Sequence, residues 1–561
     1  MEKIKSFFCP MTKDKAFRLG AVLLAAVGTI FATVFFILNC FNTSKSKFYN
    51  GYFLVILLIM IATTVYLLRF LVLDKQWSYP RVFVILALGW SISMQLVMPP
   101  ISGVDEVSHY YGAYHCSNIL LGMKDHDFET ERQEEWGRWI QGTTYFEMRA
   151  EDYILLPTVD ITFPYQYQVL ADGNWFHCSD EAKQLVKCYE YPARARRYLV
   201  SGAGMAIARL LGFGFAGTIF MGRMMNSLLL IFIGWFCLKI IPVGKLQIVS
   251  FALFPTILQL CSSYSYDNMS ILFSLLLLTM CLYYSQDHVK LHAWDIIIIA
   301  ICMAMLIPNK TVYALFGVWF FMIPIKKWWK DVGLSKKWYE YGILAVILAG
   351  IIVVGKKLIA KYYWAIYSQI FWKWDGSIEQ DGEMQSYTWY YFKDHVPETL
   401  KFAWNGIKVD FWYNIKHVIG AEIGHVRLNA TVPVACTVLL LICLIVGIVI
   451  NKGKRIKPWQ YVVLGLGLLL CLVAVFIGCL VRFTPVEGSE RIQISYRYLI
   501  PIYMCLSVAL GTDAKENKKA LALIYIQNIV LIFAMCGTLY FLLHLRDGQP
   551  VPEILKLIGI S

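Results

Sequence analysis

Charge is scarce in this chain: Asp, Glu, Lys and Arg together make up 16% of 561 residues, against about a quarter in an ordinary soluble domain. With 58% of the residues hydrophobic, there is too little polar surface to cover a soluble fold of this size, and a water-soluble globular protein is excluded. Also missing are any Cys-x-x-Cys pair and any Cys/His spacing that binds zinc, so a zinc-ribbon or finger architecture is excluded. No internal repeat and no low-complexity tract is visible. The net charge of +13 invites a nucleic-acid partner, but the basic residues sit in short clusters beside apolar runs rather than in a groove interleaved with aromatics, and no nucleic acid is expected.

What is there is a series of long apolar runs, and a spanning helix needs about 20 such residues. Thirteen segments qualify: 17–41, 51–73, 81–98, 217–241, 246–264, 266–285, 291–307, 311–325, 341–361, 430–450, 459–481, 498–512 and 519–544. The expected fold is an all-α integral membrane protein. Segments 311–325 and 498–512 are short for a span and need tilt or support from neighbours. Lys3, Lys5, Lys13, Lys15 and Arg18 precede a first apolar run too long for a signal peptide and without a small-residue cleavage site, which reads as a retained cytoplasmic end. Most of the fifteen cysteines, among them Cys261, Cys281, Cys302, Cys436, Cys443 and Cys471, lie inside apolar runs, where they act as small hydrophobes.

Cationic loops resist translocation, so Lys and Arg in short loops set the orientation. With the N-terminus inside, the clusters Lys326-Lys327-Trp328-Trp329-Lys330 with Lys336-Lys337, Lys452 to Lys457, and Lys515 to Lys519 all fall on the cytoplasmic side. Two long loops, 99–216 and 362–429, and the tail 546–561 then lie outside. The chain divides into an accessory hairpin (1–80), a membrane domain (81–545) carrying the two outer insertions, and that tail. In the first insertion, 106–122 reads as an aromatic helix at the bilayer surface and 198–212 as an amphipathic interfacial helix; the acidic stretch 125–152 reads as a solvated face. A Cys178–Cys188 bridge is compatible with an oxidising exterior. The second insertion is dense in aromatics, including Trp364, Trp372, Trp374, Trp389, Trp404 and Trp412, which suit either the headgroup level of a bilayer or the stacking of sugar rings.

Ionisable groups in or beside a span cost several kcal/mol unless paired or hydrated, so each is a functional candidate. Asp105, Glu106 and His109 follow the third span, Arg223 lies early in the fourth, Asp267-Asn268 opens the sixth, Lys310 sits in the break Pro308-Asn309-Lys310, and Arg491 and Arg497 precede the twelfth. Under the assigned orientation all lie near the outer face. Asp105 is the candidate general base, with a helix cap or ion pair as its structural alternative, and Glu106 supports it or binds a metal. His109 shares a helical face with Asp105. Lys310, Arg491 and Arg497 are candidate phosphate ligands; Arg223 either joins them or closes a buried ion pair with Asp267. Asp105, Glu106 and Asp267 could furnish oxygens to a divalent cation, but the pattern leaves metal use open.

The carboxylate pair after a span, Tyr266-Asp267-Asn268, Pro308-Asn309-Lys310-Thr311-Val312-Tyr313 and Tyr496-Arg497-Tyr498-Leu499-Ile500-Pro501 together resemble a bacterial domain-of-unknown-function family of polytopic membrane proteins grouped with the GT-C glycosyltransferases. The resemblance runs from about Val82 onward, and the hairpin 17–73 looks like an addition. Two departures stand out: Ile101 to Val104 intervene between the prolines and Asp105, and Ile494-Ser495-Tyr496 stands where a glycine is usual. The resemblance implies a GT-C-like fold and a transferase using a polyprenyl-phosphate-linked sugar, with Asp105 as base and Lys310, Arg491 and Arg497 on the donor phosphate. The acceptor would be a glycan or glycolipid of the cell envelope, in a setting of membrane lipid. The rivals are a transporter or flippase of lipid-linked sugars, which paired repeats with broken helices would favour, and a non-catalytic scaffold of an envelope-synthesis complex.

Overall fold

The structure, a computed structural model, describes residues 13–41, 47–98, 103, 106–122, 175–176, 195–331, 395–419, 422–423, 426–427, 438, 455–483, 491–492, 494–512 and 516–544. Their regular structure is helical apart from one antiparallel pair of two-residue strands, β1 (Glu422–Ile423) and β2 (Val426–Arg427). Seven helices among the described residues are long and apolar enough to cross a membrane: Lys13–Asn39, Asn50–Leu73, Tyr79–Val97, Ala216–Ile240, Asp267–Tyr284, Pro458–Leu480 and Lys518–Tyr540. The chain is thus an α-helical, multi-pass membrane protein. Expected spans 341–361 and, apart from Val438, 430–450, the acidic stretch 125–152, Cys178 and Cys188, and the tail 546–561 lie outside the described residues.

Three expected spans take another form. The run 246–264 is two short helices, α7 (Lys245–Ala252) and α8 (Pro255–Cys261). The break comes from Pro255: Phe254 before it is extended, with ψ 142°, because the proline ring disfavours α geometry in the preceding residue. The run 311–325 is a 3₁₀ helix over Thr311–Met322, and the run 498–512 gives the short helix α14 (Ile500–Leu510).

The chain forms two compact units, Met1–Leu272 with Lys416–Arg455 and Ser507–Ser561, and Phe273–Ile415 with Ile456–Leu506. In the first, α1 (Lys13–Asn39) and α2 (Lys47–Leu73) pack together and against α15 (Lys518–His544), so the N-terminal hairpin is joined to the C-terminal helix rather than standing apart. Buried polar groups fix this contact. Trp90 Nε1 on α3 (Tyr79–Val97) donates to Asn528 Oδ1 at 2.8 Å, Asn528 Nδ2 donates to Thr64 Oγ1 at 3.0 Å, and the Tyr525 hydroxyl donates to the Ala21 carbonyl at 2.7 Å. Such bonds matter in an apolar surround, where an unmade one costs about 1–3 kcal/mol.

Two further helices, both from the first insertion, pack closely within the first unit. The helix α4 (Glu106–Leu120) is buried from His109 to Asn118 where its side chains are described, and α5 (Leu199–Leu210) buries Ser201, Gly202, Gly204, Met205, Ala206, Ala208 and Arg209. They pack on each other, and α5 packs on α6 (Phe215–Ile240). The packed face of α5 is its small and polar one, while Leu199, Ile207 and Leu210 stay exposed, an apolar face of the kind an interfacial helix turns to lipid. Small residues permit the approach: a Cβ on Gly202 would stand 2.7 Å from Cys116 Cβ.

The second unit holds α10 (Ala293–Asn309), the 3₁₀ helix, α11 (Ile325–Lys330), most of α12 (Val396–Ile419) and α13 (Pro458–Phe483). A 3₁₀ helix repeats every three residues and eclipses side chains at that spacing. Tyr313, Phe316, Trp319 and Met322 keep this spacing and are all buried. Their rings stack, with centroids 5.7 Å apart for Tyr313–Phe316 and 4.2 Å for Phe316–Trp319, and Trp319 Nε1 donates to the Leu464 carbonyl at 3.3 Å. At the end of α9 (Asp267–Tyr284), Lys327 Nζ donates to the carbonyls of Tyr284, Gln286 and Val289, satisfying groups that a helix C-terminus leaves open.

A cluster of charges closes one end of the first unit. Arg18 pairs with Asp14 and Asp74, and Lys518 with Asp14 at 3.2 Å and Asp74 at 2.6 Å. The hydrogen bond from Lys518, then the charge of Arg18, hold the Asp74 carboxyl below its ordinary value. A lowered folded pKa contributes stability above about pH 4, the ordinary aspartate range, and that contribution is lost as pH falls through the lowered value. Asp74 has φ +51°, a conformation asparagine tolerates, so Asp74→Asn removes the charge without new backbone strain. We expect this variant in detergent to melt earlier than wild type at pH 7, with the difference shrinking at pH 3 and at high salt; a difference independent of both contradicts the ion-pair account.

Candidate functional site

The chain leaves the apolar span α3 at Met98 and enters α4 at Glu106, and one arginine of α6 holds both ends. Arg223, 3% exposed, donates through Nη2 to the Met98 carbonyl at 2.9 Å, through Nη1 to Gln95 at 3.5 Å and through Nε to Ser262 at 2.8 Å. The first two are carbonyls at the end of α3, where a cation is favoured by the unpaired groups and the helix dipole. The same Nε lies 3.7 Å from Glu106 Oε1.

Glu106, 1% exposed, completes the arrangement from the other side. In the first turn of α4 its carboxylate suits the positive end of the dipole. Oε2 accepts the Gly103 amide at 2.9 Å, Oε1 accepts the Tyr264 amide at 3.2 Å, and the Glu106 amide donates back to the Gly103 carbonyl at 3.1 Å. Gly103 fits here because a Cβ would stand 2.9 Å from both Glu106 Oε2 and Gln259 Nε2. Arg223 thus pairs with Glu106 and not with Asp267. Asp105, the expected base, lies outside the described residues; Gly103 and Glu106 on its two sides are both held.

The next turn of α4 continues the cluster. His109 Nδ1 lies 2.8 Å from the Tyr198 hydroxyl, and the His109 ring meets Tyr266 edge-on at 5.0 Å. Arg197 stacks on Tyr266, its guanidinium carbon 5.1 Å from the ring centre. Tyr264, whose amide binds Glu106, donates its hydroxyl to the Ile219 carbonyl at 2.8 Å. Arg197 and Tyr198 escape a search for charge inside apolar runs because they precede α5 in a polar stretch; the run Arg194-Ala195-Arg196-Arg197 was the available signal. Asp267 and Asn268, in the first turn of α9, are both buried, and among the described residues neither amide atom of Asn268 has a hydrogen-bond partner.

The second unit brings together two of the sequence motifs. Lys310, just after α10, places Nζ 3.6 Å from the centre of the Tyr498 ring, and Tyr313 donates to the Tyr498 carbonyl at 2.9 Å. Arg497 is half-buried between Tyr496 and Tyr498, while Arg491 is exposed. Lys310 and Arg497 therefore share one corner of the second unit, and Glu106, His109, Arg223, Asp267 and Asn268 belong to the first. Among the described residues no three His, Cys, Asp or Glu side chains are grouped to hold a metal ion.

Comparison with known families adds one result: the family model described as predicted membrane protein (DUF2142) matches residues 88–506. The match starts inside α3 and ends inside α14, leaving α1, α2 and α15 outside it. No curated protein and no solved structure matches the chain.

Removing one partner of a buried ion pair strands the other charge, at a cost of about 3–5 kcal/mol. We expect Glu106→Gln and Arg223→Met each to lose about that much in a denaturant or thermal assay, and the double variant to lose less than the sum. Additive losses contradict direct coupling.

Proposed function

Because the chain belongs to the DUF2142 family of predicted membrane proteins, we propose a membrane transferase as its working form: a glycosyltransferase of GT-C type that moves a sugar from a polyprenyl phosphate to a hydroxyl of an envelope glycan or glycolipid. The observation that carries the reading is the Arg223–Glu106 clamp, which secures Gly103 and Glu106 on either side of Asp105 at the end of a membrane-crossing helix. A base must be held before it can be aimed.

In the proposed reaction Asp105 takes the proton of the acceptor hydroxyl as its oxygen attacks the anomeric carbon. The bond from that carbon to the phosphate oxygen breaks, its electron pair leaves with the lipid phosphate, and the anomeric configuration inverts. Lys310, Arg491 and Arg497 are assigned to the leaving phosphate, Lys as a compact cation and Arg as a planar fork. Glu106 is assigned to positioning rather than proton transfer, since both its oxygens are engaged by backbone amides. We assign the reaction to the outer face of the cell membrane, with the N-terminus cytoplasmic, the orientation that clusters of Lys and Arg in short loops favour.

One observation favours transport instead. The sequence α7, α8, α9 is an interrupted helix, and transporters use the unwound carbonyls of such breaks to bind ions. Here those groups are already used: Cys261 accepts from Ser227, Ser262 from Arg223 and Ser263 from Asn226. The break is built as a structural joint.

Replacing Asp105 with Asn is expected to abolish transfer while purification yield and melting temperature stay at wild-type values. Lys310→Ala and Arg497→Ala are expected to raise KM for the lipid-linked donor about tenfold or more, the worth of a charge-assisted contact. Full activity in the Asp105→Asn variant would sink the assignment of the base, and movement of lipid-linked sugar across proteoliposomes without a new glycosidic bond would favour transport.

A further inference from the structure

The first half of α12 (Val396–Ile419) is packed on one side and exposed on the others. Thr399 and Gly406 are buried, and Phe402 and Ala403 are half-buried. A Cβ on Gly406 would stand 3.3 Å from the backbone nitrogen and the carbonyl oxygen of Ile492, so the helix lies close against that backbone, within the same unit. Beside the packed side runs an apolar stripe. Val396, Leu400, Trp404 and Ile407 recur at intervals of four, four and three residues, which keeps them within about 80° of one another around the axis. They are 49%, 66%, 64% and 38% exposed, so little of this chain covers them. Lys401 and Lys408, both exposed, come next around the helix, followed by Asn405 and Glu398. Val409 is the exception, an exposed apolar residue on the polar side.

A continuous exposed apolar stripe marks a contact surface, and its place in the chain says what it meets. Ile492 lies in the connection between α13, whose Pro458–Leu480 is a candidate span, and the apolar helix α14. It stands nine residues after Phe483 and eight before Ile500, within about 30 Å of either helix even at full extension. A helix packed on that connection is tied to the end of a membrane-crossing segment. α12 does not cross a membrane itself, since Glu398, Lys401, Lys408, Asp410 and Lys416 fall within its 24 residues. An amphipathic helix whose apolar face is bordered by lysine lies in the plane of the bilayer surface. Tryptophan suits the headgroup level, and lysine stems run along apolar surface while the ammonium reaches the phosphates. A protein seated on the same stripe would have to desolvate or pair Lys401 and Lys408 at its border, whereas a lipid headgroup supplies their counter-charge in place.

We propose that α12 is an in-plane membrane anchor: Val396, Leu400, Trp404 and Ile407 sit at the acyl boundary of the bilayer, and Lys401 and Lys408 meet anionic headgroups. This contact does not depend on the transferase reading above.

The test is photo-crosslinking of the purified full-length chain in liposomes of equal parts phosphatidylglycerol and phosphatidylcholine, with several copies per vesicle. The photoreactive residue p-benzoylphenylalanine is placed singly at Leu400, Trp404 or Asn405, and at Leu23 as a positive control, since Leu23 is exposed within the candidate span of α1. Leu400 and Trp404 are expected to give lipid adducts at a level near that of Leu23, and Asn405 far fewer. Adducts from Trp404 should be enriched in phosphatidylglycerol, and the paired substitution Lys401→Gln with Lys408→Gln should abolish the enrichment. Lipid adducts at Leu23 with none at Leu400 and Trp404 above the level at Asn405 overturn the anchor. Crosslinks from Trp404 to a second copy of the chain in place of lipid overturn it too and assign the stripe to a contact between copies. An equal phosphatidylglycerol share with and without the two lysines overturns the role given to them.

Discussion

The contact on which the first unit depends is the buried pair of Arg223 and Glu106. In an apolar medium neither charge is tolerable alone: Arg223 sits on the last carbonyls of α3, and Glu106, in the first turn of α4, accepts the amides of Gly103 and Tyr264. The pair therefore ties the exit of one helix to the entry of the next. Through the Ser262 carbonyl and the Tyr264 amide it also fixes the joint between α8 and α9. Four chain segments meet on two side chains, and the loss of either side chain would release all of them together.

This arrangement bears on how charge is used inside a membrane protein. A charged side chain within a span is a functional candidate by default, yet Arg223 and Glu106 spend their hydrogen-bonding capacity on backbone groups. Their value is geometric: they satisfy backbone groups at helix ends that would otherwise be left orphaned. Lys327 does the same for the turn after α9, and Asn226 and Ser227 for the break after α8.

Much of this was legible in the sequence, and the exceptions have physical causes. Long apolar runs such as those in α1, α6 and α15 announced themselves by length alone. The run 246–264 did not, because a proline in an apolar stretch is invisible to a hydrophobicity count and decisive for the backbone. The spacing of Tyr313, Phe316, Trp319 and Met322 fits an α-helical face nearly as well as a 3₁₀ one, so the tighter helix was not foreseeable. The pattern of α5 showed two faces, but not that the small and polar one, from Ser201 to Arg209, would be the one packed against α4 and α6. At the candidate site, charge in or beside apolar runs singled out Glu106, Arg223 and Lys310, and the first two are buried. It could not reveal that Arg223 prefers Glu106 to Asp267, since their sequence separations are 117 and 44 residues and only the fold decides which is near. Arg197 was passed over because it stands in an ordinary polar loop, and its pairing with Tyr266 exists only in three dimensions.

The central claim is that this chain breaks the bond between a sugar and a lipid phosphate. The most direct measurement is phosphorus NMR of a lipid-linked sugar pool incubated with the purified chain and an envelope acceptor. The account predicts conversion of the phosphodiester signal to a lipid phosphomonoester in step with a new glycosidic bond of inverted configuration. An unchanged diester signal while the sugar lipid relocates, or a product of retained configuration, would contradict it.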